Sequence, residues 1–108
     1  RLVKVAMDPK EFQEKQRRLH ELASKAASMQ RYIVSLDERR QSNRMALRSI
    51  DKEEGKKKLW LTSGDIFVRS TAEEARESMR KDSQAVDEEL AVTRGELLKV
   101  QAAMEEEA

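Results

Sequence analysis

The stretch that decides the fold is residues 59–68, Leu59-Trp60-Leu61-Thr62-Ser63-Gly64-Asp65-Ile66-Phe67-Val68. It contains the single Trp of the chain and one of its two Phe. Two short runs of residues that favour strands flank Thr62-Ser63-Gly64-Asp65, a combination typical of a turn in which Gly64 can adopt a positive φ. The sequence therefore predicts a β-hairpin over residues 56–70.

The predicted hairpin is apolar on both faces. Successive strand residues point to opposite faces of a sheet, so each aromatic residue lies on the other face from its aliphatic neighbours. Trp60 is thus separated from Leu59 and Leu61, and Phe67 from Ile66 and Val68. A strand with one face in water would alternate with polar residues. A lone two-stranded hairpin is marginally stable and has two open edges. We expect hairpins from several chains to form a shared sheet or barrel; the alternative is a hairpin folded back on its own helices.

A heptad repeat precedes the hairpin. Its first set of positions is Phe12, Leu19, Ala26, Ile33, Arg40 and Leu47, and its second set is Lys15, Leu22, Met29, Leu36, Asn43 and Ile50. A period of 3.5 residues sustained over this length indicates a coiled coil. Asp8, Pro9 and Glu11 form a helix start signal, and Gly55 stands where a helix stop is expected. These features predict a first helix over 8–55.

A second heptad repeat follows the hairpin. Its positions are Ala72, Met79, Val86, Thr93 and Val100, with a companion set of Ala75, Leu90, Leu97 and Met104 and a polar step around Asp82 and Ser83. Thr71 and Glu74 form a capping-box pattern, which predicts a second helix over 71–108. Gly95 marks either a close approach or a flexible point. We predict a mainly α chain with one domain over 1–108, residues 1–7 being an N-terminal extension: an antiparallel two-helix coiled coil with one hairpin between the helices.

The polar break in the first repeat, at Arg40 and Asn43, falls near Asp82 when the two helices are paired outward from the hairpin. We predict a buried or half-buried charge pairing there. One interpretation is that these residues fix the register of the coiled coil at a cost in stability. The other is that they contact another subunit.

Charge divides the chain into two halves. Residues 1–58 carry 16 Lys/Arg and 9 Asp/Glu, whereas residues 59–108 carry 6 and 12. Such opposite charge favours pairing of the two helices with each other. A nucleic-acid partner is the least favoured interpretation, because the basic charge is dispersed and has an acidic counterpart in the same chain.

The sequence contains no pattern typical of an enzyme. Cysteine is absent, the single histidine is His20, and no Gly-rich phosphate loop or nucleophile elbow is present. We expect no catalytic residue, no metal and no cofactor. No apolar run reaches the length of a membrane span, and 1–7 is too short for a complete signal peptide. We expect a cytoplasmic location, with the nucleus as a second one.

Two stretches of the first helix carry a family resemblance: residues 31–37, RYIVSLD, and residues 40–48, RQSNRMALR. Together with the hairpin and residues 82–89, they resemble the β-type subunits of prefoldin over nearly the whole chain. The resemblance implies a hetero-hexamer of two α-type and four β-type subunits. In that family the hairpins build a double β-barrel, and the tips of the helices hold unfolded polypeptide and deliver it to a chaperonin without nucleotide.

The resemblance also implies two sets of site residues. The subunit-assembly residues would be Leu59, Trp60, Leu61, Ile66, Phe67 and Val68. The client-binding tip would be Leu2, Val3, Val5, Met7, Phe12, Val100 and Met104. Ordinary packing in the helix seam and a frayed end are the alternative explanation of the tip residues. The expected function is therefore an ATP-independent co-chaperone subunit, and the alternative is a purely structural coiled-coil subunit of a larger complex.

Overall fold

A computed structural model describes residues 7–63 and 66–108. Helix α1 spans Pro9–Asp51, strand β1 Lys58–Ser63, strand β2 Ile66–Thr71 and helix α2 Ala72–Glu107. The predicted order of helix, hairpin and helix is confirmed. Leu2, Val3, Val5 and the predicted turn residues Gly64 and Asp65 lie outside the described residues. Among the described residues, no helix is both long and apolar enough to span a membrane.

The chain forms two compact units, of which one comprises 34–92 and includes the hairpin. In this unit the predicted seam positions are buried or half-buried, with Leu36, Ile50, Val86 and Leu90 among the most enclosed. Arg39 forms an ion pair with Asp82, while Asp51, later in α1, pairs with Arg76, earlier in α2. The paired residues therefore follow opposite orders along the two helices, so the helices of this unit are antiparallel.

The other unit combines residues up to Ile33 with Thr93–Ala108. The seam positions from Lys15 to Ile33 and from Thr93 to Met104 are again buried or half-buried, whereas Phe12 is exposed. Arg18 and Glu107, which belong to different helices, form an ion pair with 3.0 Å between Nε and Oε1. A Cβ added at Gly95 would meet no atom within 4 Å, so this glycine does not mark a close approach.

Both predicted helix starts carry side-chain caps. The backbone N–H of Lys10 donates to Asp8 Oδ1 at 3.0 Å, and the N–H of Glu74 donates to Thr71 Oγ1 at 3.1 Å. These bonds satisfy N–H groups that have no partner within the first turn of a helix. The helices begin at Pro9 and Ala72, one residue after the predicted starts.

The end of α1 differs from the prediction. The helix ends at Asp51 rather than at residue 55, and Gly55 does not adopt a left-handed φ. Arg76 caps this end: its Nη2 donates to the carbonyl of Ile50 at 3.2 Å, and its Nε donates to Asp51 Oδ1 at 2.7 Å. The Ile50 carbonyl also accepts a hydrogen bond from the N–H of Glu53 at 2.9 Å. A cation at a helix C-terminus satisfies free carbonyls and the negative end of the dipole.

The two strands of the hairpin are longer than predicted. Thr62 and Ser63, expected in the turn, continue β1, and β2 extends to Thr71. The antiparallel register pairs Leu61 with Val68 and Trp60 with Arg69. The N–H groups of Ala72 and Glu73, at the start of α2, donate to the carbonyls of Lys57 and Gly55 at 2.8 and 3.0 Å. The connection after α1 thus caps α2 and fixes the base of the hairpin.

Candidate interaction surfaces

The register divides the hairpin into two chemically different faces. Cross-strand partners share a face, as do alternate residues within a strand. The aliphatic face carries Leu59, Leu61, Ile66 and Val68, and the aromatic face carries Lys58, Trp60, Phe67 and Arg69. The predicted separation of aromatic from aliphatic residues therefore holds across both strands.

One end of the aliphatic face packs on the helices. Leu59 and Leu61 are half-buried against a cluster formed by Ile50, Ala72 and Ala75. Two of the six predicted assembly residues thus have partners within their own chain. The interpretation that the hairpin folds back on its own helices holds for this end of one face.

The remaining four assembly residues are open to solvent. The exposed fractions are 67% for Trp60, 68% for Phe67, 65% for Ile66 and 48% for Val68. Burial of a large apolar side chain is worth about 1.5–3 kcal/mol, so this hairpin would gain stability from a covering partner. Exposed apolar residues gathered in one patch are typical of an interaction surface.

The cations of the aromatic face are not neutralised by ion pairs among the described residues. Neither strand contains Asp or Glu. Lys57, just before β1, pairs with Glu53 through Nζ and Oε2 at 2.7 Å. Within the described part of the chain, Lys58 and Arg69 form no such ion pair, and both are exposed. The aromatic face is therefore both apolar and positively charged. The sequence analysis did not identify this charge because it assigned only the apolar residues to faces.

The polar break in the seam forms an interhelical cluster. Asn43 is buried, and its Nδ2 donates to Asp82 Oδ2 at 2.6 Å. Arg39 Nε donates to the same oxygen at 3.0 Å, and Arg39 Nη2 pairs with Oδ1. The prediction that Arg40 pairs with Asp82 was wrong. Arg40 instead pairs with Asp37, one turn earlier in α1, with 3.2 Å between Nη2 and Oδ1. The hydrogen bonds from Arg39 and then Asn43 hold the pKa of Asp82 below its usual range.

The described tip residues fall into two groups. Met7 and Phe12 are exposed by 43% and 53%, as a contact for a client chain requires. Val100 is buried and Met104 half-buried. For these two, the alternative of ordinary seam packing accounts for the side chains without any client.

A second apolar patch on α1 was missed by the sequence analysis. Val34 and Met45 are exposed by 56% and 68% and line one shallow groove with Gln41. They lie off the heptad seam, where isolated apolar residues carry little signal. The periodicity of the apolar residues around them could not distinguish the two from ordinary exposed side chains.

The acidic and histidine side chains of the described residues are dispersed rather than clustered. Over 7–63 and 66–108, no group of three or more His, Cys, Asp or Glu side chains could hold a metal ion. His20 is exposed on α1. Comparison of the chain with models of known protein families gives no match, and a search of curated proteins gives no significant match.

Proposed function

We propose that this chain is a β-type subunit of a prefoldin-like co-chaperone complex that works without nucleotide. In this proposal the hairpin joins other prefoldin-like subunits in a hetero-hexamer, and the tips of the helices bind unfolded polypeptide for delivery to a chaperonin. The observation that carries the proposal is the exposure of large apolar residues on both faces of a two-stranded hairpin. The resemblance of residues 31–37 and 40–48 to the family supports it.

The assembly role is tested by Trp60→Asp with Phe67→Asp in the full chain. We expect the doubly substituted chain to bind its copurifying subunits at least tenfold more weakly, because two carboxylates would have to be buried in the interface. The molar mass of the purified complex by light scattering measures the effect. The matched control is Val92→Asp with Leu98→Asp, which introduces the same charge at exposed apolar positions of α2. An unchanged mass for the hairpin variant would contradict the assembly role.

The client role is tested at Met7 and Phe12. Replacing both with Ser should reduce the suppression of aggregation of a chemically unfolded protein several-fold, measured by turbidity, because the exposed apolar contacts are lost. The mass of the complex should stay unchanged, since neither residue is buried in the seam. Leu98→Ser, at an exposed position of α2, is the control. Full suppression by the double variant would contradict a client site at these residues.

A structural subunit of a larger complex is the second candidate function. The burial of Val100 and the half-burial of Met104 favour it, because the seam already occupies two of the proposed client residues. Such a subunit would keep its assembly through the hairpin and show no dependence on Met7 and Phe12. The two experiments above therefore separate the candidates.

A further inference from the structure

The two hairpin faces require different partners. The aliphatic face is continuous with the cluster of Ile50, Ala72 and Ala75, and any apolar surface would complete it. The aromatic face combines Trp60 and Phe67 with two cations, one of which, Arg69, lies directly opposite Trp60 across the strands. Trp and Arg are the residue types most often responsible for binding energy in protein interfaces.

Covering the aromatic face would remove Lys58 and Arg69 from water. Burying a charge without a partner of opposite sign is strongly unfavourable, so a stable partner has to supply carboxylates. The chain supplies none from its own strands, and no ion pair neutralises either cation among the described residues. The missing negative charge must come from the surface that binds there.

A second copy of the chain that pairs through the same face cannot supply it, because neither strand contains Asp or Glu. In a two-fold symmetric pairing the aromatic face of one copy meets the same face of the other. The cations of each copy would then be buried against a face whose only charged side chains are also cations. Like charges placed together in an interface are unfavourable and act against the wrong partner. The charge of this face therefore opposes self-assembly through it.

We propose that the polypeptide that covers the aromatic face is a different chain, whose strand or hairpin carries carboxylates among apolar side chains, and that Lys58 and Arg69 exclude a second copy of this chain. The proposal rests on assembly through the hairpin and adds the chemistry of the partner. Lys58 and Arg69 determine the choice of partner, while Trp60 and Phe67 supply the apolar contact.

A charge-reversed copy of the chain serves as the acidic probe. The full chain is mixed with its own Lys58→Glu, Arg69→Glu variant, and association is measured by sedimentation velocity. We expect the mixture to associate at least tenfold more tightly than the unsubstituted chain alone. The gain should shrink at high salt, since screening weakens exposed charge pairs. Both substituted residues are exposed strand positions outside the helix seam, so the variant should fold.

Two controls define the outcome. Arg80→Glu with Lys81→Glu makes the same change of charge at exposed positions of α2 and should give no gain. Adding Trp60→Ala and Phe67→Ala to the charge-reversed copy should remove the gain. Three outcomes would overturn the proposal. In the first, the unsubstituted chain associates with itself as tightly as the mixture does, and in the second, the mixture does not associate. The third outcome is a gain in association with either of the two control variants. The assembly role is tested separately, by the molar mass of the complex with its copurifying subunits, so failure of this proposal and failure of the assembly role can be distinguished.

Discussion

Replacing Leu90 with Ala is expected to lower the free energy of unfolding by about 3 kcal/mol, the middle of the range for buried Leu. Leu90 is 2% exposed and lies in the seam between the buried residues Val86 and Thr93. Removal of its side chain leaves a cavity that rigid helix backbones fill only in part. Urea unfolding of the full chain, followed by far-UV circular dichroism at fixed protein concentration, measures the loss.

Leu98→Ala is the matched control for this substitution. It removes the same atoms from the same helix, but Leu98 is 68% exposed. An exposed substitution of this kind changes stability by less than about 0.5 kcal/mol. Equal losses for the two variants would show that the seam is not packed around Leu90 in solution.

The seam itself could be predicted because it depends on local spacing. Every predicted seam position from Lys15 to Ile50 in α1 and from Ala72 to Met104 in α2 is buried or half-buried. A 3.5-residue period places these side chains on one side of a helix whatever lies further along the chain. Phe12, the first member of the repeat, is exposed. Periodicity could not predict this exposure, because it does not reveal how far along α1 the packing against α2 extends.

The end of α1 could not be predicted because a residue distant in sequence contributes to it. Arg76 in α2 binds the Ile50 carbonyl and the Asp51 carboxylate. The sequence pattern around Gly55 contains no information about this contact. Asn43 contacts Asp82 as predicted, but the charged partner of Asp82 was predicted wrongly for a related reason. A heptad position fixes where a side chain starts, but a long Arg side chain can reach across from beside the seam. Arg39 does so, while Arg40 pairs within its own helix.

The hairpin faces were predicted, but their pairing was not. A four-residue turn over 62–65 would pair Leu61 with Ile66, whereas the structure pairs Leu61 with Val68. A shift of two residues keeps every side chain on its face, since the strand repeat is also two. It changes which residues meet, however, and it places Arg69 opposite Trp60. The positive charge of the aromatic face follows from alternation along each strand, whereas the direct pairing of Arg69 with Trp60 follows from register.

Replacing Asp82 with Ala is expected to lower the free energy of unfolding by about 2 kcal/mol at neutral pH. Asp82 accepts hydrogen bonds from Asn43 and Arg39, and loss of the carboxylate leaves the buried amide of Asn43 without this acceptor. An unsatisfied buried donor costs about 1–3 kcal/mol. The exposed Arg39 pair adds little, since surface ion pairs are worth about 0–1 kcal/mol. Asp87→Ala, at an exposed position of the same helix, is the control.

The loss at Asp82 should depend on pH. Its pKa is lowered in the folded chain, so the unfolded chain takes up the proton first as the pH falls. The stabilising contribution of the carboxylate is therefore fully present above the ordinary Asp pKa of about 3.9 and is lost as the pH falls through the lower folded pKa. The difference between the original chain and Asp82→Ala should be constant from pH 7 to about 5 and narrow below pH 4. A difference that grows on acidification would contradict this assignment.

A double substitution tests why the polar cluster lies in the seam. Asn43→Leu combined with Asp82→Ala removes the buried amide together with its acceptor, and replacement of both partners by apolar groups can be nearly neutral. We expect the double variant to regain most of the stability that Asp82→Ala loses. If Asn43 fixes the register, the regained stability should come with a loss of a single helix alignment, measured by disulfide cross-linking of introduced cysteine pairs. Recovery of stability with one alignment retained would show that the apolar seam and the hairpin suffice to set the register.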